Sequence, residues 1–247
     1  MTVDFPDYEE KFMETVRDFW LVRDAQSAKQ KQSVKVDAGT RGAVTGGKHL
    51  KALTDLIQEV FADAGMPIKK ASGSTVLPGY YRASKNWDTV VTYKDCVVAV
   101  IELKSQVGSF GKNQNNRIEE MVGQSLDLWR SARENRLGTI RPWFGYLMIL
   151  EDHADSRQRI AGRTNPLFPQ DEVFADTNYL DRYRIAFDRL RLEGDLDATC
   201  LVFSDSASHS VEYPDSTMTF NAFAASIHGR VTEVLGVLGR DDEAKLL

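Results

Sequence analysis

The 247-residue chain is 42% hydrophobic and 27% charged, with a formal net charge of −5, the balance of an ordinary globular protein long enough to bury a sizeable core. No apolar run reaches the roughly 18 residues that span a bilayer, and the opening MTVDFPDYEEKF has no basic segment followed by an apolar one, so neither a membrane span nor a secretory leader is expected. The acidic balance disfavours a non-specific nucleic-acid coat; Cys96 and Cys200 form neither a metal-ligand spacing nor a disulfide framework, so a reducing cytoplasm is the expected setting.

Residues 7–31 read as a long amphipathic helix, with Phe12, Val16, Phe19 and Trp20 at helical spacing. Between Arg23 and Lys51 seven basic residues stand against two acids, either a solvated face or a patch for phosphates. Inside it, GAVTGGKH at 42–49 supplies Gly42, Gly47 and Lys48 of a phosphate-binding loop. However, His49 stands where that loop needs a hydroxyl for magnesium, and polar KQKQSVKVDAGTR precedes it instead of a buried strand. A glycine-rich loop whose backbone could meet a nucleic-acid phosphate is the better reading. A second helix is expected over 48–63, with Leu50, Leu53, Leu56, Ile57, Val60 and Phe61 on one stripe and Gly65 at its stop. Residues 66–81 look irregular, and 87–106 predict a β-hairpin.

A loop over 105–117 then leads to a helix over 118–134 carrying Met121, Leu126, Leu128 and Trp129. PWFGYLMILED at 142–152 reads as a buried strand. A long polar loop over 153–176 holds Arg157, Arg159 and Arg163. A helix at 178–193, a strand at 198–205 and a final helix at 218–238 follow. In that last helix the stripe Phe220, Phe223, Ile227, Val231 suits either a core or a dimer interface. The order predicts an α/β or α+β class: one domain over 1–247 with a central mixed sheet flanked by helices, a core at about 48–205 and the terminal helices as decorations.

The hairpin WDTVVTYKDCVVAVIELKSQ (87–106) poses the chemical question, because its charges sit at the tip of an otherwise apolar sheet. Side chains alternate along a strand, so Val98, Val100, Glu102 and Lys104 are expected on one face, and Val97, Ala99, Ile101 and Leu103 on the other. With a turn near Lys94-Asp95-Cys96, paired residue numbers total about 190, and Asp88 falls opposite Glu102 with Cβ atoms ~5 Å apart. A two-residue turn in a regular ladder gives 189 and turns Asp88 to the wrong face, so an odd-numbered loop or a bulge is expected. Two such carboxylates repel unless a cation lies between them. Oxygen ligands without His or Cys select a hard ion, Mg²⁺ or Mn²⁺, with the Leu103 carbonyl and waters completing its shell. Lys104 can hold an attacking water and stabilise charge growing on a phosphate. The plain alternative is a structural ion pair between Glu102 and Lys104.

Asp88, thirteen residues, then Glu102-Leu103-Lys104 resembles the PD-(D/E)xK nuclease signature. The segments KQKQ, DAGTRGAVTGGK, LPGYYR, Trp87-Asp88, IELKSQVG and NQNNRIEE together resemble the XhoI family of type II restriction endonucleases, over essentially the first 150 residues and more loosely beyond. The resemblance implies a restriction-endonuclease-like core in a Mg²⁺-dependent homodimer (Mn²⁺ being possible). It further implies hydrolysis of double-stranded DNA at the palindrome CTCGAG to leave 5′ overhangs, in a bacterial cytoplasm where a methyltransferase protects host DNA. Asp88, Glu102 and the Leu103 carbonyl would hold the metal; Lys104 would orient water or stabilise the transition state; Glu59, in the preceding helix, could be an accessory acid. Trp87 replaces the proline of the broad signature, which bears no ligand. Lys and Arg read guanine and Asn reads adenine, which makes Lys112, Asn113, Asn116 and Arg117 of GKNQNNR candidates for DNA contact, with Arg41 and Lys48 candidates for phosphates. A structure-specific repair or junction nuclease, or a non-catalytic DNA-binding protein with Asp88, Glu102 and Lys104 as a structural ion cluster, are the alternatives.

Overall fold

The computed structural model describes residues 6–32, 50–67, 75–162 and 165–239. In chain order the elements are α1 (Glu9–Gln32), α2 (Lys51–Asp63), β1 (Val76–Pro78), β2 (Ser84–Asn86), β3 (Thr89–Tyr93), β4 (Cys96–Gln106), α3 (Phe110–Arg133), β5 (Trp143–Glu151), α4 (Tyr179–Leu192), β6 (Ala198–Ser204) and α5 (Phe220–Leu238). A mixed sheet of order β3-β4-β5-β6 lies at the centre. β3 is antiparallel to β4, whereas β4, β5 and β6 run parallel. The expected mixed sheet flanked by helices is therefore present. Among the described residues no helix is long and apolar enough to cross a membrane.

Strand alternation divides the apolar residues between two layers. Ala99, Ile101 and Leu103 of β4 join Trp143, Leu147 and Ile149 of β5 against α1, α2 and α5. Val100 joins Phe144, Tyr146 and Met148 against α3 and α4 on the opposite face. The crossovers β4–α3–β5 and β5–α4–β6 both lie on that second face, as one consistent hand requires when the sheet grows in one direction. The terminal helices, expected as decorations, supply the first layer instead: Phe12 of α1 stacks on Phe220 of α5 with ring centroids 4.3 Å apart. The Phe220, Phe223, Ile227, Val231 stripe is thus core.

Other differences are local. Residues 66–81, read as irregular, contain β1, which pairs with β2 as a small separate hairpin. The predicted loop at 105–117 is mostly helix, because α3 already begins at Phe110. Leu126 of that helix is exposed, not core. In the long polar segment Arg157 pairs with Asp152 and Glu212, and Arg159 with Asp176; Arg163 lies outside the described residues.

The β3–β4 hairpin settles the register by an unusual route. Its turn residues Lys94 (φ 46°) and Asp95 (φ 59°) are both left-handed, a two-residue turn of the type that follows strand twist. Thr92 accordingly pairs with Val97 and Tyr93 with Cys96, a total of 189. A bulge then passes over Val98, and Val91↔Ala99, Val90↔Val100 and Thr89↔Ile101 all total 190. The bulge also exchanges two side chains relative to simple alternation: Val98 packs with Ala99 and Ile101, and Val97 with Val100.

A bulged residue leaves backbone groups off the ladder, and here they have dedicated partners. Nε of buried Arg230 donates to the Val98 carbonyl at 3.1 Å, and its Nη2 donates to the Arg141 carbonyl at 2.6 Å. The Val97 N–H donates to the Leu137 carbonyl at 2.8 Å. Gly138 permits that approach: it sits at φ +100°, and a Cβ there would come within 2.6 Å of Cys96 Cα. Replacing Arg230 by Met leaves the buried Val98 carbonyl and the part-buried Arg141 carbonyl without a charged donor and is expected to cost about 1–3 kcal/mol. A urea midpoint equal to wild type would contradict this account of the bulge.

Candidate active site

β4 outruns its antiparallel partner. The β3 ladder starts at Thr89 opposite Ile101, so from Glu102 onward β4 has no neighbour on that side. Asp88, one residue before β3, fills the first gap: its Oδ2 accepts the Leu103 N–H at 2.7 Å. In an extended strand the N–H and C=O of one residue project to the same side, so the Leu103 carbonyl faces Asp88 as well. Asp88 and the Glu102-Leu103-Lys104 tripeptide thereby converge at the carboxyl end of β4.

Glu102 is the buried member, its side chain only 3% exposed. Such a carboxylate is tolerable only when its oxygens are fully compensated. Lys85 Nζ donates to Oε2 and Oε1 at 3.0 and 3.2 Å, Gln124 Nε2 donates to Oε1 at 3.0 Å, and Lys104 pairs with Oε1. Lys104 Nζ also lies 3.8 Å from Asp88 Oδ2, so it spans both acids. Asp88, with 39% of its side chain exposed, is the open edge. Crowding by surrounding protein and then the Glu102 charge push its carboxyl above the usual value, against the pull of the Leu103 amide, Lys104 and Lys85. Tyr146, opposite Glu102 on β5, has its hydroxyl pushed well up by burial and then by the Glu102 charge.

Two of these residues were not foreseen. Lys85 arrives on β2, and Gln124 on α3. The intervening LPGYYR turn is pinned to α3 by Asp127, whose buried carboxylate accepts the Tyr80 and Tyr81 N–H groups at 2.9 and 2.7 Å and pairs with Arg82 Nε at 3.0 Å. Ser131 Oγ donates to the Pro78 carbonyl, and Arg136 Nη1 to that of Gly79. At Gly79 a Cβ would lie 2.6 Å from the Arg82 carbonyl and 2.9 Å from Asp127 Oδ2, so the turn closes only around glycine. Gln124, Asp127 and Ser131 thus form a buried polar stripe on α3. The signal for it was present: residues 124 and 125 share the helical stripe of Met121 and Leu128, where a polar side chain is out of place unless partnered.

The remaining candidates fall elsewhere. Lys112, Asn113, Asn116 and Arg117 occupy the first turns of α3 and not a loop; three- and four-residue spacing puts Asn113, Asn116 and Arg117 on one side. Arg117 pairs with Glu120 at 2.7 Å. Glu59 pairs with Lys11 of α1, in the layer across the sheet from Glu102, so the structure does not bring it to the site. Arg41 and Lys48 lie outside the described residues.

The donor set suits a hard divalent cation. Only oxygen ligands converge (two carboxylates and one carbonyl); burial first and the Glu102 charge second raise the Asp88 carboxyl, and a cation between the acids would relieve that second part. Among the described residues no group of three or more His, Cys, Asp or Glu side chains could hold an ion, so water and substrate oxygens would have to complete the shell.

A mixed sheet with an antiparallel edge hairpin, helices on both faces and acid, acid and lysine at the carboxyl end of the second hairpin strand is a restriction-endonuclease-like architecture. The chain belongs to the XhoI family: the model described as "Restriction endonuclease XhoI" matches residues 29–214. It is 38% identical to the type II restriction enzyme BstVI of Geobacillus stearothermophilus, over 71% of this chain and 82% of that one. Against the type II restriction enzyme AbrI of Azospirillum brasilense the identity is 39%, over 68% and 77%. Against the type II restriction enzyme XhoI of Xanthomonas vasicola it is 34%, over 78% and 79%. No solved structure matches the chain significantly. The chain is a DNA endonuclease of the type II restriction class, which acts on double-stranded DNA and generally uses divalent metals.

The two acids should respond oppositely to neutralisation. A carboxyl whose folded pKa is raised loses stability on ionising, a loss present above that pKa and relieved as pH falls through it. Asp88→Asn is therefore expected to melt at or above the wild-type temperature at neutral pH without metal, the difference vanishing in acid. Glu102→Gln leaves two poorly exposed lysines without their carboxylate and is expected to cost about 1–3 kcal/mol after allowance for partial solvation. Thermal melts of both variants across pH check this; a clearly destabilised Asp88→Asn would contradict it.

Proposed function

We propose that the chain is a Mg²⁺-dependent endonuclease that cleaves double-stranded DNA at the palindrome CTCGAG and leaves 5′ overhangs. The observation that bears the most weight is the convergence of Asp88 with Glu102, the Leu103 carbonyl and Lys104 at one strand end, tied by the 2.7 Å bond from the Leu103 amide to Asp88. Membership of the XhoI family supports the site sequence, and the oxygen-only donors support Mg²⁺, with Mn²⁺ as a substitute.

Asp88, Glu102 and the Leu103 carbonyl would hold the cation. When bound, it supplies Lewis-acid stabilisation of the charge that builds on the scissile phosphate. Lys104, 19% exposed between the two acids, has ammonium protons to orient the attacking water and to donate to a non-bridging phosphate oxygen. Water attacks phosphorus in line with the bond to the 3′ oxygen. The new P–O bond forms as that bond breaks, the attacking water gives one proton to solvent, the departing 3′ oxygen takes one from solvent, and a 3′ hydroxyl and 5′ phosphate result.

The N-terminal turns of α3 stand at the carboxyl ends of the parallel strands, where ligands of open α/β sheets sit. From there Lys112, Asn113, Asn116 and Arg117 are proposed to meet bases or backbone, with Arg41 and Lys48 on phosphates. A palindromic site implies a two-fold homodimer with one centre per strand. The expected setting is the bacterial cytoplasm, with a methyltransferase guarding host DNA.

Digestion of a sequenced plasmid in Mg²⁺, followed by end-mapping, is expected to give discrete fragments ending at CTCGAG. Asp88→Ala should abolish cutting, and Lys104→Ala should slow it about a hundred- to a thousandfold, the usual effect of losing one transition-state donor. Random nicking, or undiminished cutting by Asp88→Ala, would overturn the reading.

A further inference from the structure

Lys85 has a position that the proposed chemistry does not use. Its side chain is 11% exposed, and its Nζ meets both Glu102 oxygens at 3.0 and 3.2 Å. The same nitrogen lies 4.1 Å from the centroid of the Trp87 ring and 3.4 Å from the Asn86 carbonyl. Glu102 already has one ammonium partner in Lys104, so neutralising a single buried carboxylate does not explain a second.

Charge explains it better. Asp88 and Glu102 bring two negative charges and Lys85 and Lys104 two positive ones, so the site is neutral before any metal enters. Without Lys85 it would be negative and attract cations outright. With Lys85 on both oxygens, an incoming divalent ion must displace one ammonium group and face the other. A DNA phosphate restores the missing negative charge and adds an oxygen ligand. Lys85 also has somewhere to go: the Trp87 face and the Asn86 carbonyl remain after Glu102 is released, and an ammonium over an indole ring is stabilised by the ring quadrupole. The hairpin bearing Lys85 need not move, because Asp127 and Ser131 fix the preceding turn to α3.

We propose that Lys85 is a built-in counter-ion of the metal site, which occupies Glu102 until a cation takes its place and so makes cation loading depend on bound DNA. The inference rests on the proposed role of Asp88 and Glu102 as cation ligands. The test is calorimetric titration of Ca²⁺, a hard oxygen-seeking ion, into the full-length protein, with and without a duplex containing CTCGAG. Wild type and Lys85→Arg are expected to bind weakly without DNA and more tightly with it. Lys85→Met is expected to bind about tenfold more tightly than wild type without DNA, since a like charge some ångströms away has gone, and to gain less from the duplex. Lys85→Gln, polar and of similar reach, serves if the Met variant does not fold.

Adding Asp88→Asn separates the two levels. Loss of the gain in Lys85→Met/Asp88→Asn supports the inference. Folded Lys85 variants with affinity no higher than wild type overturn it while leaving the metal site standing. A gain that survives the second substitution, or no binding by any variant even with duplex, overturns the site reading itself.

Discussion

The parity of the β3–β4 hairpin governs everything at the strand end. A two-residue turn alone would set Asp88 against Ile101, and the two acids would lie on opposite faces of the sheet. One skipped residue, Val98, corrects that by a single step, and Arg230 from α5 holds the carbonyl it releases. A guanidinium buried in the layer across the sheet therefore decides which carboxylates meet. The arrangement is economical in sequence but demanding in packing. The bulge must occur where the strand is already buried on both faces, so its free backbone groups need partners supplied from distant segments.

The two layers then serve different ends. Across the face formed by α1, α2 and α5 an apolar cluster backs the sheet, with the Arg230 guanidinium set at its edge. On the other face apolar packing gives way near Glu102 to a polar stripe of α3, in which Gln124 holds the carboxylate and Asp127 and Ser131 hold the turn that delivers Lys85. Buried polar groups of this kind are tolerable only when satisfied together. The site's geometry is thus a property of α3, β2 and β4 jointly, even though its two carboxylates come from a single hairpin.

Much of this was legible in the sequence. The order of the long helices and central strands, the buried strands and the meeting of Asp88 with Glu102 follow from periodicity and from the demand that an apolar strand keep one face inward. Even the need for a bulge or odd loop could be read from residue numbers. What periodicity does not reveal shares a physical cause. Val97 and Val98 exchange faces because a bulge breaks alternation locally, and both are valines, so hydrophobicity gives no sign of the swap. Nothing in the sequence marks Lys85, since its burial depends on a three-residue strand too short to show a period. The first turns of α3 read as loop because asparagines suit turns and helix starts alike. Glu59 looked available on α2, but the sheet stands between that helix and Glu102.

The continuity of α3 has a further consequence. Its outward first turns, with Asn113, Asn116 and Arg117, and its inward Gln124 belong to one uninterrupted helix, separated by about 12 Å of rise from Asn116 to Gln124. A displacement at one end of so short a rod reaches the other almost undiminished. If those first turns meet DNA as proposed, exchanging residues at the tip would also re-aim the amide that steadies Glu102. Under that proposal a change of target would call for paired changes, one at the tip and one at Gln124, which narrows the routes by which new targets can be acquired.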